Sequence, residues 1–272
     1  MGYLYETHMH TCLSSACGVS TGKEHVHRYR DMGYAGIIVT DHFFGGNTAA
    51  PRTGKWEDRI DAFLEGYEDA RAEGEKCGLP VMFGWEQGYG DDEYLIYGLD
   101  GDWLKAHPEI ETASRARQLE LVHAGGGCVI QAHPFRMRTR YMHYIRLGLR
   151  FCDGVEVMNA GNLPINDIYA WNFAHEYHLL MTAGSDNHNS YPKSGDPELF
   201  GVIWEEPLRD IHDYVSRILA GQQPGLWFPE SRLSTDISGE APLVSYMLSE
   251  TEELVPTGRT WENGYAGAGA IL

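Results

Sequence analysis

Short apolar runs alternate with longer amphipathic stretches along most of this chain. The short runs predict eight strands: Tyr3–His10, Ala35–Thr40, Val81–Glu86, Tyr94–Asp100, Cys128–His133, Gly154–Met158, Leu179–Ala183 and Phe200–Trp204. Between most of them, apolar positions recur at helical spacing and predict six helices: Thr21–Gly33, Trp56–Gly78, Ser114–Gly125, Met137–Gly148, Ile165–Tyr177 and Leu208–Ala220. The first helix opens with Thr21 and Glu24, which have the spacing of a capping box.

Strands that alternate with helices indicate parallel pairing through right-handed crossovers. The chain carries no dinucleotide-binding glycine fingerprint, and its seven or eight units favour an α/β barrel over an open sheet. After Pro229 the alternation stops, and the segment becomes rich in glycine, serine and acidic residues. We therefore predict a barrel domain over residues 1–228 and a C-terminal extension over 229–272, packed on the barrel or partly disordered.

Histidines and carboxylates fall at the ends of the predicted strands. His8 and His10 end the first strand as H-x-H, and side chains two apart on a strand share a face. The other strand ends carry Asp41, His42, Glu86, Asp100, His133, Asp186 and His188. Barrel enzymes place their chemistry at the carboxyl ends of the strands, and imidazole with carboxylate suits Zn, Mn or Fe. This pattern predicts a metal site.

The composition narrows the class of partner. The chain has 21 Lys+Arg against 39 Asp+Glu, a formal net charge of −18, which argues against binding along extended nucleic acid. We find no apolar run of membrane-spanning length and no secretory signal at the N-terminus, so we expect no membrane association. Five cysteines do not read as a disulfide framework and suit a reducing cytoplasm.

Five motifs, in this order, resemble the polymerase and histidinol phosphatase (PHP) family: E-T-H-M-H-T at 6–11, T-D-H at 40–42, Glu86, Q-A-H-P at 131–134 and G-S-D-N-H at 184–188. The resemblance covers roughly residues 1–225. It implies a distorted (β/α)7 barrel, hydrolysis of phosphoesters, and two or three divalent ions (Zn, Mn or Fe) in the site.

The resemblance also implies a division of ligands among the ions. The first ion would be held by His8, His10, Glu86 and Asp186; the second by Glu86 and His133; and the third by His42 and His188. Cys17 stands where the family often has a ligand of the third ion, and Asp100 where it often has one of the second. Cys17 can equally be a plain buried thiol, and Asp100 can cap a turn.

Further residues are expected to act on the substrate. Asp41, His42, His188 and Arg136 are the candidate catalytic residues, with Asp41 orienting a ligand or water rather than binding metal. The guanidinium of Arg136 is well shaped for a phosphate, although an ordinary ion pair is an alternative. Asn159 either faces the substrate or makes a turn.

These residues predict metal-dependent hydrolysis of a phosphate ester by a metal-activated hydroxide. The expected substrate is a small phosphomonoester or nucleotide, and the oligomeric state stays open. An amidohydrolase-like C–N hydrolase is an alternative, but its bridging carboxylated lysine is missing from Tyr94–Asp100. A catalytically silent PHP-like module is another alternative, which the complete set of ligand-type residues disfavours. The loop Phe43–Lys55 is either a lid over the site or an ordinary surface loop.

Overall fold

The computed structural model describes residues 2–136, 145–191, 199–236 and 243–261. Its strands are β1 (Tyr3–Glu6), β2 (Gly36–Val39), β3 (Val81–Gly88), β4 (Glu93–Tyr97), β5 (Cys128–Ala132), β6 (Ile145–Leu147), β7 (Gly154–Asn159), β8 (Met181–Gly184), β9 (Gly201–Trp204), β10 (Gly225–Trp227), β11 (Leu243–Leu248) and β12 (Leu254–Trp261). Its helices are α1 (Gly22–Asp31), α2 (Trp56–Cys77), α3 (Gly101–Ala106), α4 (Arg115–Ala124), α5 (Pro164–Tyr177) and α6 (Ile211–Leu219). The eight predicted strands are all present, with shifted ends.

Nine strands form one sheet in the order β10-β9-β1-β2-β3-β4-β5-β7-β8. The neighbours β1–β2–β3 and β5–β7–β8 pair in parallel, as the alternation with helices predicts. The last strand, β8, comes back beside β9 and β10, so the sheet nearly closes on itself. The predicted α/β barrel is confirmed, in the distorted form that an incomplete closure produces.

Two strands, β4 and β9, run against this parallel frame, and β9 pairs antiparallel with both of its neighbours, β1 and β10. β4 pairs antiparallel with β3 on one side and with β5 on the other. The reason lies in the connection, because only Tyr89–Asp92 join β3 to β4. Antiparallel strands need only a short turn, whereas a parallel crossover takes a dozen residues or more. The expectation of parallel pairing is wrong for β4 and β9, and β4 runs in the direction opposite to the predicted one.

Local signals set the helix ends. The Thr21 side chain accepts from the Glu24 amide while the Glu24 carboxylate accepts from the Thr21 amide, which confirms the capping box. α2 ends at Gly78, whose φ of 76° lies in the left-handed region that favours glycine. Of the predicted helix Met137–Gly148, residues 137–144 lie outside the described residues. The remainder is wrong, because Ile145–Leu147 form β6.

The C-terminal residues add a second, smaller sheet. β11 and β12 form an antiparallel hairpin, and β11 pairs in parallel with β6. Before this hairpin, a single 3-10 turn at Glu230–Arg232 packs near α5. The division into 1–228 and 229–272 stays a prediction. Among the described residues, no helix has both the length and the apolar character that crossing a bilayer requires.

Candidate metal centre

The ligand-type side chains gather at the carboxyl ends of the parallel strands. His8 and His10 follow β1, His42 follows β2, and Glu86 lies near the end of β3. His133 follows β5, and Asp186 and His188 follow β8. Groups of three that could hold an ion are His10–His42–His188, His8–His133–Asp186, His8–His10–Glu86 and His42–Glu86–Glu93. Within each group the ligand atoms lie within 4.8 Å of one another. The structure thus brings together seven of the residues predicted from strand ends.

His8 and His10 point the same nitrogen at the centre of the cluster. The Nε2 atoms of the two rings lie 3.1 Å apart, and both side chains are fully buried. His8 Nδ1 lies 2.9 Å from Glu156 Oε1, and a carboxylate at this position fixes the proton on Nδ1. The Nε2 lone pair of His8 is therefore turned inward, as a metal ligand requires.

Asp41 and Ser15 orient His10 in the same way. Ser15 Oγ donates to Asp41 Oδ1 at 2.6 Å, so its oxygen is an acceptor for its other neighbours. One of these is His10 Nδ1 at 3.3 Å, and another is the His42 amide at 2.9 Å. Asp41 also accepts from the amide and hydroxyl of Thr11. Asp41 thus lies behind the ligand-type residues and orders the loop that carries them.

Electrostatics keeps His10 in the form that binds metal. Burial, followed by the imidazoles of His42 and His188, lowers the pKa of His10 well below its ordinary value. The rings of His42 and His188 lie 4.2 and 4.4 Å from that of His10. A neutral imidazole is the state that coordinates a metal ion.

Glu86 occupies the middle of the cluster. Its Oε1 lies 3.3 Å from His8 Nε2 and 3.1 Å from His133 Nε2, while its Oε2 lies 2.6 Å from His42 Nδ1. Burial would raise the pKa of this carboxyl, but His42 and His8 outweigh it and hold the pKa well below its ordinary value. One carboxylate oxygen facing each side suits a residue that bridges two ions.

Two orphaned atoms support the fit to a metal. Within the described part of the chain, His42 Nδ1 and Glu86 Oε2 are buried without a hydrogen-bond partner, despite their 2.6 Å separation. Buried polar atoms are almost always paired, so an unpaired nitrogen and oxygen facing each other fit a cation as their common partner. The donor set of imidazole and carboxylate fits Zn, Mn or Fe.

Glu93 is the site residue that sequence reasoning missed. Its Oε2 lies 3.5 Å from His133 Nε2, and its Oε1 lies 4.0 Å from His42 Nδ1. Burial and the neighbouring carboxylate of Glu86 raise the pKa of Glu93. Because β4 is antiparallel, its first residue reaches the edge where the other strands end. The short connection Tyr89–Asp92 is the signal that could have revealed this.

Asp100 lies away from the cluster, contrary to its predicted place as a ligand. It follows the end of β4, which the antiparallel direction puts at the opposite edge of the sheet. There it caps α3 by accepting from the Trp103 amide at 2.8 Å, and it lines a separate cleft with Arg209 and Asp210. The alternative of a capping residue is what the structure shows.

Asp186 and His133 both adopt unusual backbone conformations. Their φ angles are 53° and 27°, in the left-handed region that non-glycine residues rarely adopt. Strain of this kind costs on the order of 1–3 kcal/mol and collects at functional sites. Asp186 Oδ1 lies 3.0 Å from His10 Nε2, and burial is outweighed by Arg136 and His8, so the pKa of Asp186 is well below its ordinary value.

Cys17 lies beside His188 at the mouth of the cluster. His188 Nδ1 donates to the Asp186 carbonyl at 2.8 Å, and its Nε2 faces Cys17 Sγ at 3.1 Å. Burial opposes ionisation of the thiol, but the hydrogen bonds from His188 and His42 lower the pKa of Cys17 to about 6. Cys17 thus lies beside His188, which is predicted to bind the same ion, but none of the groups of three includes it.

Arg136 is fixed by three partners. Its Nε donates to Asn162 Oδ1 at 2.7 Å, its Nη1 to Asp186 Oδ2 at 2.6 Å and its Nη2 to Asn159 Oδ1 at 2.8 Å. A guanidinium has five N–H groups, so one on each terminal nitrogen is left over from these bonds. Asn159 therefore lies behind Arg136, and its side-chain nitrogen donates to Glu156. It is not among the residues that line the cavity described next.

A cavity of about 480 Å³ opens onto the cluster. It is lined by Cys17, His42, Gly45, Gly46, Asn47, Gly88, Gly90, Glu93, Arg136, Asp186 and His188. The loop Phe43–Lys55 forms one wall and is tied down, since Arg52 donates to the carbonyls of Phe44 and Gly46. Asn47 O also accepts from the Ala16 amide. These bonds make a fixed wall of the part of the loop that lines the cavity.

Three solved structures are similar to this chain. A two-domain protein from Bacteroides vulgatus containing a predicted PHP-like metal-dependent phosphoesterase has a TM-score of 0.60 at 14% identity, covering 90% of this chain and 74% of that one. A protein from Bifidobacterium adolescentis, named provisionally as a metal-dependent phosphoesterase, has a TM-score of 0.49 at 18% identity, covering 79% and 95%. An amidohydrolase from Chromobacterium violaceum, with bound sulfate and no metal, has a TM-score of 0.46 at 16% identity, covering 71% and 92%.

Among protein-family models and curated protein sequences, none matches this chain. Of these three structures, the one from Bacteroides vulgatus has a TM-score above 0.5, and at 14% identity it establishes the fold alone. The chain therefore has the fold of PHP-like phosphoesterase domains, as the five sequence motifs predict.

Proposed function

We propose that this protein is a metal-dependent phosphoesterase that hydrolyses a small phosphate monoester. The observation that carries the proposal is that three of the four ligand groups contribute a residue to the wall of one cavity, which also carries Arg136. His8, His10, Glu86 and Asp186 would hold one ion. Glu86, Glu93 and His133 would hold a second, and His42 and His188 a third.

The bound ions would supply Lewis acidity, which lowers the pKa of water and offsets charge that develops on phosphoryl oxygens. The chain's own residues do the remaining work. Arg136 offers one N–H on each terminal nitrogen, a fork that matches two oxygens of a phosphate group. His188, about a quarter exposed at the cavity mouth, lies where a leaving oxygen would exit. Asp41 orients His10 and the loop around it through Ser15.

The cavity size and the charge favour a small substrate. A volume of about 480 Å³ suits a compact molecule. Among the described residues that line the cavity, Arg136 is the sole Arg or Lys, which suits one phosphate group. With a net charge of −18, the chain is poorly suited to holding a polyanion along its surface.

The test is phosphate release by protein stripped of metal and reloaded with Zn, Mn or Fe. The panel would contain sugar phosphates, amino-alcohol phosphates, nucleoside monophosphates and one diester, bis(p-nitrophenyl) phosphate. We expect metal-dependent release from a monoester and its loss in Asp186→Asn. His123→Asn is the matched control, because His123 pairs with Asp153 outside the cluster. Metal-loaded protein without turnover of any ester would overturn the proposal, and hydrolysis of amides by the same protein would favour a C–N hydrolase.

A further inference from the structure

Arg232 lies beyond the last strand of the barrel sheet, in the 3-10 turn Glu230–Arg232, yet its side chain is buried. Its Nη1 donates to the Asn162 carbonyl at 2.8 Å and lies 3.3 Å from Asp167 Oδ2. Its Nη2 donates to the Ala160 carbonyl at 3.2 Å. The guanidinium also lies over the ring of Phe200, 5.0 Å from its centroid. A buried cation with this many partners fixes the backbone that supplies them.

The backbone in question is the loop between β7 and α5. This loop carries Asn162, and its first neighbour in β7 is Asn159. The side-chain oxygens of these two asparagines accept from Arg136. Arg232 thus contacts the main chain of the same loop whose side chains hold Arg136.

Asp167 ties the two arginine contacts together. Its Oδ1 accepts from Asn162 Nδ2 at 2.8 Å and from the Asn159 amide at 3.3 Å, while its Oδ2 faces Arg232. Asp167 is fully buried, so without Arg232 its carboxylate would lose its cationic partner. The result would be a loosened loop and less fixed asparagine side chains.

We infer that Arg232 is a positioning residue: it fixes the loop 159–163 and thereby the plane of the Arg136 guanidinium that receives the phosphate. The role in phosphate binding rests on the proposed phosphoesterase function. The coupling of Arg232 to Arg136 rests on the contacts alone. The 3-10 turn Glu230–Arg232, which follows the barrel strands, would thus contribute to substrate binding.

The coupling can be tested without any substrate. In protein labelled with ¹⁵N-arginine, the Nε–H signal of Arg136 would be assigned by its loss in Arg136→Lys. We expect slow hydrogen exchange for this signal, because Nε donates to Asn162. In Arg232→Met the exchange should be faster by about tenfold or more. Unchanged exchange in folded Arg232→Met would overturn the inference.

Arg217→Met is the matched control. Arg217 also binds two carbonyls (Glu206 and Pro207), an aspartate (Asp213) and an aromatic face (Trp204), but on α6. It should lose a similar amount of stability and leave the Arg136 signal unchanged. If Arg217→Met moved that signal equally, the effect of Arg232→Met would be general loosening, and the inference would fail.

The second measurement is inhibition by inorganic phosphate of the metal-loaded, full-length protein. Arg232→Met should raise the inhibition constant and KM by about tenfold, with kcat and metal content nearly unchanged. Because Arg232 acts through Arg136, adding Arg232→Met to Arg136→Met should cause no further loss. Additive losses, or an unchanged inhibition constant, would count against the inference.

The two measurements separate this inference from the proposed function. A wild-type protein that neither hydrolyses esters nor binds phosphate would overturn the phosphoesterase and with it the phosphate-binding role. The NMR signal of Arg136 would still decide whether Arg232 positions it. Arg232→Lys keeps the charge but lacks the fork that reaches both carbonyls, so it offers a milder variant should Arg232→Met fail to fold.

Discussion

At the scale of single residues, the orientation of the imidazoles is set by atoms behind them. His8, His10 and His188 each turn Nδ1 to a protein oxygen: Glu156, Ser15 and the Asp186 carbonyl. Their Nε2 atoms are thereby left for the cavity side. The motifs on the chain predict which residues gather, because strand ends of parallel β meet at one edge. They do not predict Glu156 or Ser15, whose roles depend on contacts between distant segments.

Glu93 is the residue whose role differs most between sequence and structure, and it gives the first prediction. Glu93→Gln removes a carboxylate from the group formed with His42 and Glu86. We expect the protein to retain about one metal ion fewer per chain after dialysis, with affinity for that ion weaker by about tenfold or more. Elemental analysis by mass spectrometry measures the metal per chain.

Asp100→Asn is the control for Glu93→Gln. Asp100 caps α3 at the opposite edge of the sheet, so its substitution should leave the metal content unchanged. Retention of all metal by Glu93→Gln, together with loss in Asp100→Asn, would restore the original sequence-based assignment.

At the scale of elements, the β3–β4 hairpin decides which carboxylate reaches the site. The apolar pattern predicts both strands correctly, but it carries no information on strand direction. Direction follows from the length of the connection, and Tyr89–Asp92 are too few for a crossover. Eight strands and most helices were predictable because their signals are local. The reversal of β4 could have been found from the length of its connection. The reversal of β9 and the strand β6 could not, because they depend on which partner each strand finds.

The β3–β4 hairpin and the loop Phe43–Lys55, which forms one wall of the cavity, pack so closely that Gly45 must be a glycine. A Cβ on Gly45 would lie 2.2 Å from the Gly88 carbonyl oxygen, so the wall and the hairpin would have to move apart. We expect Gly45→Ala to lower the free energy of unfolding by about 1–3 kcal/mol, the usual cost of overpacking. Denaturant unfolding of the metal-free protein measures this.

The neighbouring glycine is the natural comparison. A Cβ on Gly46 would lie 3.4 Å from its nearest neighbour, His42 Cβ, which is ordinary contact. Gly46→Ala should therefore change the unfolding free energy much less. Equal losses for the two variants would show that backbone freedom, rather than the contact with Gly88, requires glycine here.

At the scale of the whole molecule, buried acids make stability depend on pH. Burial raises the pKa of Asp167 to about 7, above the model-peptide value of 3.8, despite the hydrogen bond from Asn162 and the charge of Arg232. A raised carboxyl pKa means that the folded state binds the proton more tightly than the unfolded state. The stability it contributes is complete below pH 3.8 and is lost as the pH rises to about 7.

We therefore expect the wild type to lose stability relative to Asp167→Asn between pH 5 and 7, at up to about 1.4 kcal/mol per pH unit. Unfolding of the metal-free proteins across this range measures the difference. Asp213→Asn is the control: although burial opposes it, hydrogen bonds from Arg209 and Arg217 lower the pKa of Asp213 to about 2. Its contribution is lost only as the pH falls towards 2, so its difference from wild type should be constant. A constant difference for Asp167→Asn as well would contradict the prediction.

Bound metal ions would link the barrel strands at the edge of the sheet where the ligand-type residues lie. The proposed ligands come from the ends of β1, β2, β3, β5 and β8 and from the start of β4, which only the folded chain brings together. Binding to the folded state alone stabilises it by about 2.7 kcal/mol when the free ion is at 100 times its Kd.

We expect removal of metal by a chelator to lower the thermal midpoint of the wild type. In Glu86→Gln, which lacks the central carboxylate, the same treatment should lower the midpoint far less, since fewer ions are bound to begin with. A wild-type protein with measured bound metal and an unchanged midpoint after stripping would mean that the ions bind elsewhere than among these strands.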